Sequence, residues 1–125
     1  MSTIKTTTLS TQGGSTVPVD TVVNGTAKAW VNFNGTGTVA IRRAFNVSSI
    51  TDNSVGGYTV NFSTAMVDAD YAATFMTGSS SLGGINALFT ASASTSSITT
   101  YVYAVAGGGA GAFRDAADIS VSIFS

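Results

Sequence analysis

The side chains that could carry out catalysis are few in this sequence. It contains no His, Cys or Glu, so general acid–base chemistry would fall to Asp, Tyr or Lys. A carboxylate pair for glycoside hydrolysis would be drawn from six aspartates: Asp20, Asp52, Asp68, Asp70, Asp115 and Asp118. Four of the six fall in predicted turns or loops, where Asp is favoured for local hydrogen bonding. Their spacing singles out no pair, and the sequence predicts a protein without enzymatic activity.

The metal-binding motifs are incomplete. Asp68 and Asp70 could contribute to a calcium site together with Asp52 and Asn53, but Tyr71 interrupts the Asp-rich loop that such sites use. A plain β-turn between two strands is the preferred interpretation, and no metal is predicted.

The glycine-rich stretch matches a cofactor motif only in its letters. Gly107, Gly109 and Ala112 fit a relaxed dinucleotide-binding pattern, but no helix is predicted after them. The Gly-Lys-Ser/Thr of a phosphate-binding loop is also missing. The preferred interpretation is a loop that covers a neighbouring copy or the tip of the fold, and no cofactor is predicted.

Five aromatic residues could present flat faces to a sugar: Trp30, Tyr58, Tyr71, Tyr101 and Tyr103. Tyr and Trp are also the side chains that subunit interfaces bury. Most of these residues are assigned to the inward phase of their strands, so burial in the core or in an interface is preferred over a sugar site.

Trp30, the only tryptophan, lies in the most regular part of the chain, residues 27–37 (AKAWVNFNGTG). The alternation there predicts a half-buried β-strand that runs into an Asn-Gly turn. Trp30 falls on the outer face with Lys28 and Asn32, where we expect it to meet a second sheet, a neighbouring subunit or a ligand.

Two adjacent arginines, Arg42 and Arg43, interrupt a later strand. Strict alternation would place one on each face, so one of them, Arg43, is assigned to a partly buried contact with an Asp of another copy. The candidate subunit interface is therefore Lys28, Trp30 and Arg43.

The bulk composition narrows the classes of partner. Five basic and six acidic residues give a net charge of −1, which offers no electrostatic attraction for nucleic acid or an anionic membrane. There is no apolar run long enough to span a membrane and no apolar signal-peptide region. Many apolar positions are Ala, which stabilises a core much less than Leu or Ile does, so we expect a homo-oligomer that buries further surface between copies.

The spacing of period-2 runs predicts an all-β fold, an antiparallel β-sandwich or jelly-roll-like domain of about eight strands. The domain covers residues 19–125, with its first strand at residues 19–23 and a loop at residues 48–57. Residues 1–18 are predicted to form a short extended N-terminal arm that anchors the protein, and a frayed terminus is the alternative.

Two sets of residues are candidate contacts outside the subunit interface. The anchor residues of the arm are Ile4, Leu9, Val17 and Pro18. The exposed-loop residues, which could touch a host glycan, are Ser80, Leu82, Gly108 and Gly109.

Residues 27–75, with the strings AKAWVNFNGTG and FNVSSITDN, resemble a domain that is widespread in tailed bacteriophages, especially phages of marine bacteria and cyanobacteria. The DISVSIF string at residues 118–124 resembles the terminal strand of that domain. Arg43 stands where related sequences often carry a more acidic or polar residue. The family is commonly assigned to tail fibres or other virion structural proteins, and the resemblance implies a compact β-domain that is commonly a homotrimer.

The expected function is that of a non-enzymatic virion structural protein. It would be a small trimeric fibre or knob, a head fibre, or a capsid decoration protein, docked to other capsid or tail proteins by its arm. Its location would be the virion, after synthesis in the host cytoplasm. The alternative is a glycan-binding module of a tail fibre, and a polysaccharide-degrading enzyme is disfavoured by the missing Glu and His.

Overall fold

A computed structural model describes residues 1–78, 84–106 and 109–125 of the chain. Its elements, in chain order, are β1 (Thr8–Ser10), β2 (Thr16–Pro18), α1 (Val19–Gly25), β3 (Ala29–Asn34), β4 (Ala40–Phe45), β5 (Val47–Ser54), β6 (Gly57–Phe62), β7 (Ala72–Thr77), β8 (Gly84–Ala93), β9 (Ser97–Ala106), β10 (Ala112–Phe113) and β11 (Ile119–Phe124). The strands β1 and β2 form a separate hairpin.

Two antiparallel sheets build the main domain. The first sheet has the order β4–β3–β11–β7. The second has β9 at its centre, flanked by β6 and β8, with β5 beyond β6 and the short β10 also paired to β9. The all-β sandwich predicted from the sequence is confirmed.

The core lies between the two sheets because alternate residues of each strand point inward. Its largest fully buried side chains include Phe33, Ile119 and Val121 from the first sheet and Tyr58, Ile98 and Val102 from the second. The rings of Phe33 and Tyr58 meet edge to face across the gap, with centroids 5.3 Å apart. This single cluster holds the domain together.

The turn after β3 forms, but not in the two-residue conformation that favours Asn-Gly. The positive φ, +62°, belongs to Gly37. Gly35 is required for a different reason, since a Cβ there would lie 2.5 Å from the Tyr58 hydroxyl oxygen and 2.9 Å from the Ala116 carbonyl oxygen. Tertiary packing therefore explains this glycine.

Asn46 carries the chain from the first sheet to the second. In the described part of the chain it is the one non-glycine residue with a positive φ, +54°. Its side-chain amide donates to the carbonyl oxygens of Lys28 and Thr64, each at 3.1 Å, and its side-chain oxygen accepts from the Thr64 backbone N–H at 2.7 Å. These bonds stabilise a conformation that Asn tolerates better than most residues do.

Two secondary-structure predictions are wrong: a predicted strand is a helix, and a predicted loop is a strand. The number of strands is therefore unchanged by these two errors. Residues 19–23 begin helix α1, whose first turn carries Asp20, an acidic residue that interacts favourably with the helix dipole. Residues 48–54, predicted as a loop, belong to β5. The described part of the chain therefore has eight longer strands, in addition to the short β1, β2 and β10.

The helix lengthens the exposed N-terminal region from the predicted residues 1–18 to residues 1–26, called the N-terminal arm below. None of these residues is buried. The arm comprises the β1–β2 hairpin and α1, so it is not simply extended. Across the described residues, no helix has the length and apolarity needed to cross a bilayer.

Candidate functional site

The outer surface of the first sheet, here called the Trp30 face, carries exposed aromatic side chains. The register of β3 and β4 places Trp30 opposite Phe45 and Asn32 opposite Arg43. Trp30 is 38% exposed and Phe45 is 55% exposed. Two of the three predicted interface residues, Trp30 and Arg43, therefore share one uncovered face.

A β-bulge changes the expected geometry of the two arginines. The pairing steps from Asn32–Arg43 to Phe33–Ile41, which leaves Arg42 as the extra residue. The expectation that one arginine must point toward the apolar side is therefore wrong. Both arginines are exposed.

Arg42 pairs with an aspartate of its own chain. Its guanidinium lies 3.3 Å from Asp118 Oδ1 and also donates to the Asn32 side-chain oxygen at 3.3 Å. The Asn32 amide donates to the same Asp118 oxygen at 2.5 Å. The pair of Arg42 and Asp118 is the only ion pair among the described residues. It lies on the surface, where such pairs contribute little stability.

Lys28, the third predicted interface residue, is drawn toward the arm. Its Nζ donates to the carbonyl oxygens of Val23 and Thr26 at the end of α1. A lysine near the C-terminal end of a helix satisfies carbonyls that have no partner within the helix. Lys28 therefore contacts the arm of its own chain.

An open apolar groove of about 390 Å³ lies where the arm joins the sandwich. It is lined by residues 26–28, Phe45, Asn46, residues 65–67 and Ser125. The groove is continuous with the Trp30 face through Phe45.

The four predicted anchor residues lie in the arm and present an apolar surface. Leu9 and Val17 face each other across the hairpin, and Pro18 directly precedes α1. Ile4 is 90% exposed and Leu9 is 48% exposed. Three of the four predicted loop residues, Ser80, Leu82 and Gly108, lie outside the described residues, whereas Gly109 is exposed.

The second sheet carries an aromatic cluster on its outer face that the sequence analysis missed. Its members are Phe89, Tyr101, Tyr103 and Phe113. Phe113 has ring centroids 5.2 Å from Tyr101 and 5.3 Å from Tyr103, and Phe89 stacks on Tyr101 at 5.7 Å. Phe89 is 43% exposed and Phe113 is 47% exposed.

The prediction that most of the five aromatic candidates point inward is therefore wrong. Tyr58 and Tyr71 pack in or against the core, whereas Trp30, Tyr101 and Tyr103 point outward. The two tyrosines of β9 have the same phase, which is the signal that could have found the cluster. Both phases of that strand are apolar, so its pattern alone did not show which side would be covered.

A ladder of neutral polar side chains continues the same outer face across β9, β6 and β5. The Oγ1 atoms of Thr59 and Thr99 are 2.8 Å apart, and the Asn53 amide donates to Thr59 Oγ1 at 2.8 Å. The Asn61 amide donates to Thr51 Oγ1 at 2.9 Å. These cross-strand bonds explain how β5, polar enough to resemble a loop, forms a strand.

Tyr58 and Asp115 form a buried link at one end of the sandwich. The Tyr58 hydroxyl lies 2.8 Å from the Gly35 carbonyl oxygen and 2.8 Å from Asp115 Oδ1, which also accepts the Gly56 backbone N–H at 2.7 Å. Burial, reinforced by the bond to Asp115, raises the pKa of Tyr58 above its ordinary value. A higher pKa keeps the hydroxyl protonated, which suits a structural role.

Asp68 and Asp70 form a local turn. Asp68 Oδ1 accepts the Asp70 backbone N–H at 2.9 Å, as in the plain-turn interpretation. Within residues 1–78, 84–106 and 109–125, no three potential metal-binding His, Cys, Asp or Glu side chains come together.

Searches for related proteins return no matching family model, curated protein or solved structure. Support for a function therefore comes from the chain itself. Within the described residues, three apolar surfaces are left uncovered by the fold: the N-terminal arm, the Trp30 face and the aromatic cluster.

Proposed function

We propose that this chain is a non-enzymatic structural protein of a bacteriophage particle, with the N-terminal arm docked on a capsid or tail protein and the sandwich displayed outward. The observation that carries the proposal is that the arm forms a hairpin and a helix, yet buries none of its 26 residues. The resemblance of residues 27–75 to a phage virion domain supports the part of the proposal that places the chain in a phage particle.

The elements of the arm are too short to be stable in isolation. A lone two-stranded hairpin is marginal in water, and a seven-residue helix is well below the roughly 12–15 residues at which isolated helices become stable. The arm exposes Ile4, Leu9, Val22 and Val23, which a partner could cover. Docking would supply the apolar burial that the arm lacks in the single chain.

Self-association is the second part of the proposal, with a trimer as the expected state. The Trp30 face combines Trp30, Phe45 and Arg43, and aromatic and arginine side chains are enriched in protein interfaces. Light scattering should give the mass of a trimer for the wild type and a lower mass for Trp30→Ala. A wild type that stays monomeric at all concentrations would contradict this part.

Docking is tested by adding a charge to the arm. We expect Leu9→Asp to abolish incorporation into phage particles, measured by immunoblotting of purified virions, without changing the melting temperature. The matched control is Val55→Asp, which alters an exposed valine of the sandwich instead. Equal incorporation of both variants would contradict docking through the arm.

A further inference from the structure

Glycines hold the tyrosines of the aromatic cluster close to the sheet. A Cβ on Gly57 would lie 2.6 Å from Cε1 of Tyr101, and a Cβ on Gly111 would clash still more closely with the Tyr103 ring. Glycine in or beside a strand often marks such a close approach. Each tyrosine ring therefore packs against the backbone of a glycine and stays partly exposed.

The four rings form one continuous surface. Phe113 touches both tyrosines and Phe89, with centroids 6.4 Å apart in the last pair. Phe89 and Phe113 are each more than two-fifths exposed. A contiguous exposed aromatic surface on a small domain is typical of a binding site.

The outward positions of β9 and β6 beside the cluster carry no charge, and the exposed Arg114 directly follows Phe113 in the chain. Among the described positions of β9 and β6 that point outward, residues 57, 59, 61, 97, 99, 101, 103 and 105, none is acidic or basic. Hydroxyl and amide groups occupy most of these positions beyond the rings. A nucleic acid or another polyanion would need cations that these positions do not offer.

We propose that the aromatic cluster binds a neutral polysaccharide. The apolar C–H face of a sugar ring would stack on the rings, and the sugar hydroxyls would hydrogen-bond to the Tyr hydroxyls and the neighbouring Thr and Asn side chains. A surface that is part aromatic and part hydroxyl is complementary to a sugar, which has both apolar C–H faces and hydroxyl groups. This activity goes beyond the structural role and requires neither the arm nor self-association.

The test is affinity electrophoresis of the full chain in native gels that contain hydroxyethyl cellulose, laminarin, yeast mannan or galactan. We expect at least one of these polymers to retard the protein. Tyr103→Ala and Phe113→Ala should each weaken that retardation about tenfold in apparent Kd, since each removes a stacking surface.

Two further variants separate geometry from simple loss of aromatic area. Gly111→Ala keeps all four rings but forces Tyr103 off the backbone, and it should also weaken binding. Val67→Ala removes an exposed apolar side chain outside the cluster and outside the Trp30 face, and it should leave binding unchanged. Circular dichroism melts establish whether each variant is folded. If Tyr103→Ala is unfolded, Phe89→Ala replaces it, because it also removes an exposed ring of the cluster.

Three results would overturn the proposal. The first is that none of the four polymers retards the protein. The second is that retardation is unchanged in both Tyr103→Ala and Gly111→Ala. The third is that Phe113→Ala lowers the oligomer mass, which would assign the cluster to a contact between copies. Sugar binding does not depend on docking through the arm, so Leu9→Asp should bind the polymers as the wild type does even when it no longer docks.

Discussion

The N-terminal arm and the sandwich differ in how far they bury their apolar side chains. In the sandwich, Phe33 and Ile119 are fully buried between two sheets. In the arm, Ile4 and Leu9 have no comparable cover. Ordering each backbone residue costs about 1–2 kcal/mol, and only the sandwich offsets that cost by burying side chains within the chain. Stability therefore resides in the sandwich, and the arm is left available for a partner.

The largest effect is expected from the core of the sandwich. Phe33→Ala should lower the free energy of unfolding by about 3–5 kcal/mol, because it leaves a cavity beside Tyr58. Urea unfolding followed by circular dichroism measures the change. A loss below about 1 kcal/mol would mean that the sheets pack less tightly here than the structure shows.

A smaller effect is expected from the buried hydroxyl of Tyr58. Tyr58→Phe should cost about 1–3 kcal/mol, because it removes the hydroxyl proton that lies between the Gly35 carbonyl oxygen and Asp115 Oδ1, although Asp115 keeps its bond from the Gly56 N–H. Urea unfolding near neutral pH is the measurement, and Tyr101→Phe on the outer face is the matched control. Equal losses for the two variants would contradict a special role for the buried link.

The raised pKa of Tyr58 predicts that the stability of the fold depends on pH. Above pH ~10 the unfolded chain releases the Tyr58 proton, whereas the folded chain keeps it because burial raises the pKa of Tyr58. Stability should therefore be complete below that pH and fall as pH rises, by at most about 1.4 kcal/mol per pH unit for this one group. Tyr58→Phe should lose this part of the slope, and identical slopes for variant and wild type would refute the assignment.

The surface of the sandwich should respond weakly. Arg42→Ala should cost about 0–1 kcal/mol, because its pair with Asp118 is half exposed. Thermal melts at low and high salt measure the difference, which should shrink as salt screens the pair. Arg43→Ala is the control on the same strand, and a large, salt-independent loss for Arg42→Ala would show that the bulge itself depends on this side chain.

The smallest effect on stability is expected in the arm. Leu9→Ala should change the free energy of unfolding by less than about 0.5 kcal/mol, as is usual for exposed positions. Amide hydrogen exchange should be much faster in β1, β2 and α1 than in β3 and β11. Comparable protection in both regions would mean that the arm folds onto the sandwich, and it would contradict the conclusion that stability resides in the sandwich alone.

Local alternation made the strands of the sandwich largely predictable. The inward set of β3, Ala29, Val31 and Phe33, is read directly from residues 27–34, because a strand needs only its own sequence to separate two faces. The errors came where local rules compete. The β-branched residues at 19–23 suggested a strand, whereas Asp20 in the first turn suits the start of a helix.

Other features could not be predicted because they depend on partners distant in the chain. The bulge at Arg42 exists only in the pairing of β4 with β3, and β5 is a strand because Thr59 and Asn61 bond to its polar side chains. The need for Gly35 arises from the Tyr58 ring, which comes from the opposite sheet.

The sequence by itself determined an all-β chain with few catalytic side chains and a regular supply of inward-pointing apolar residues. Only the tertiary structure decided which face of each strand is covered, and so brought Phe89, Tyr101, Tyr103 and Phe113 together on an open surface. The physical reason is that alternation is a local property of the backbone, whereas burial depends on which sheet packs against which face.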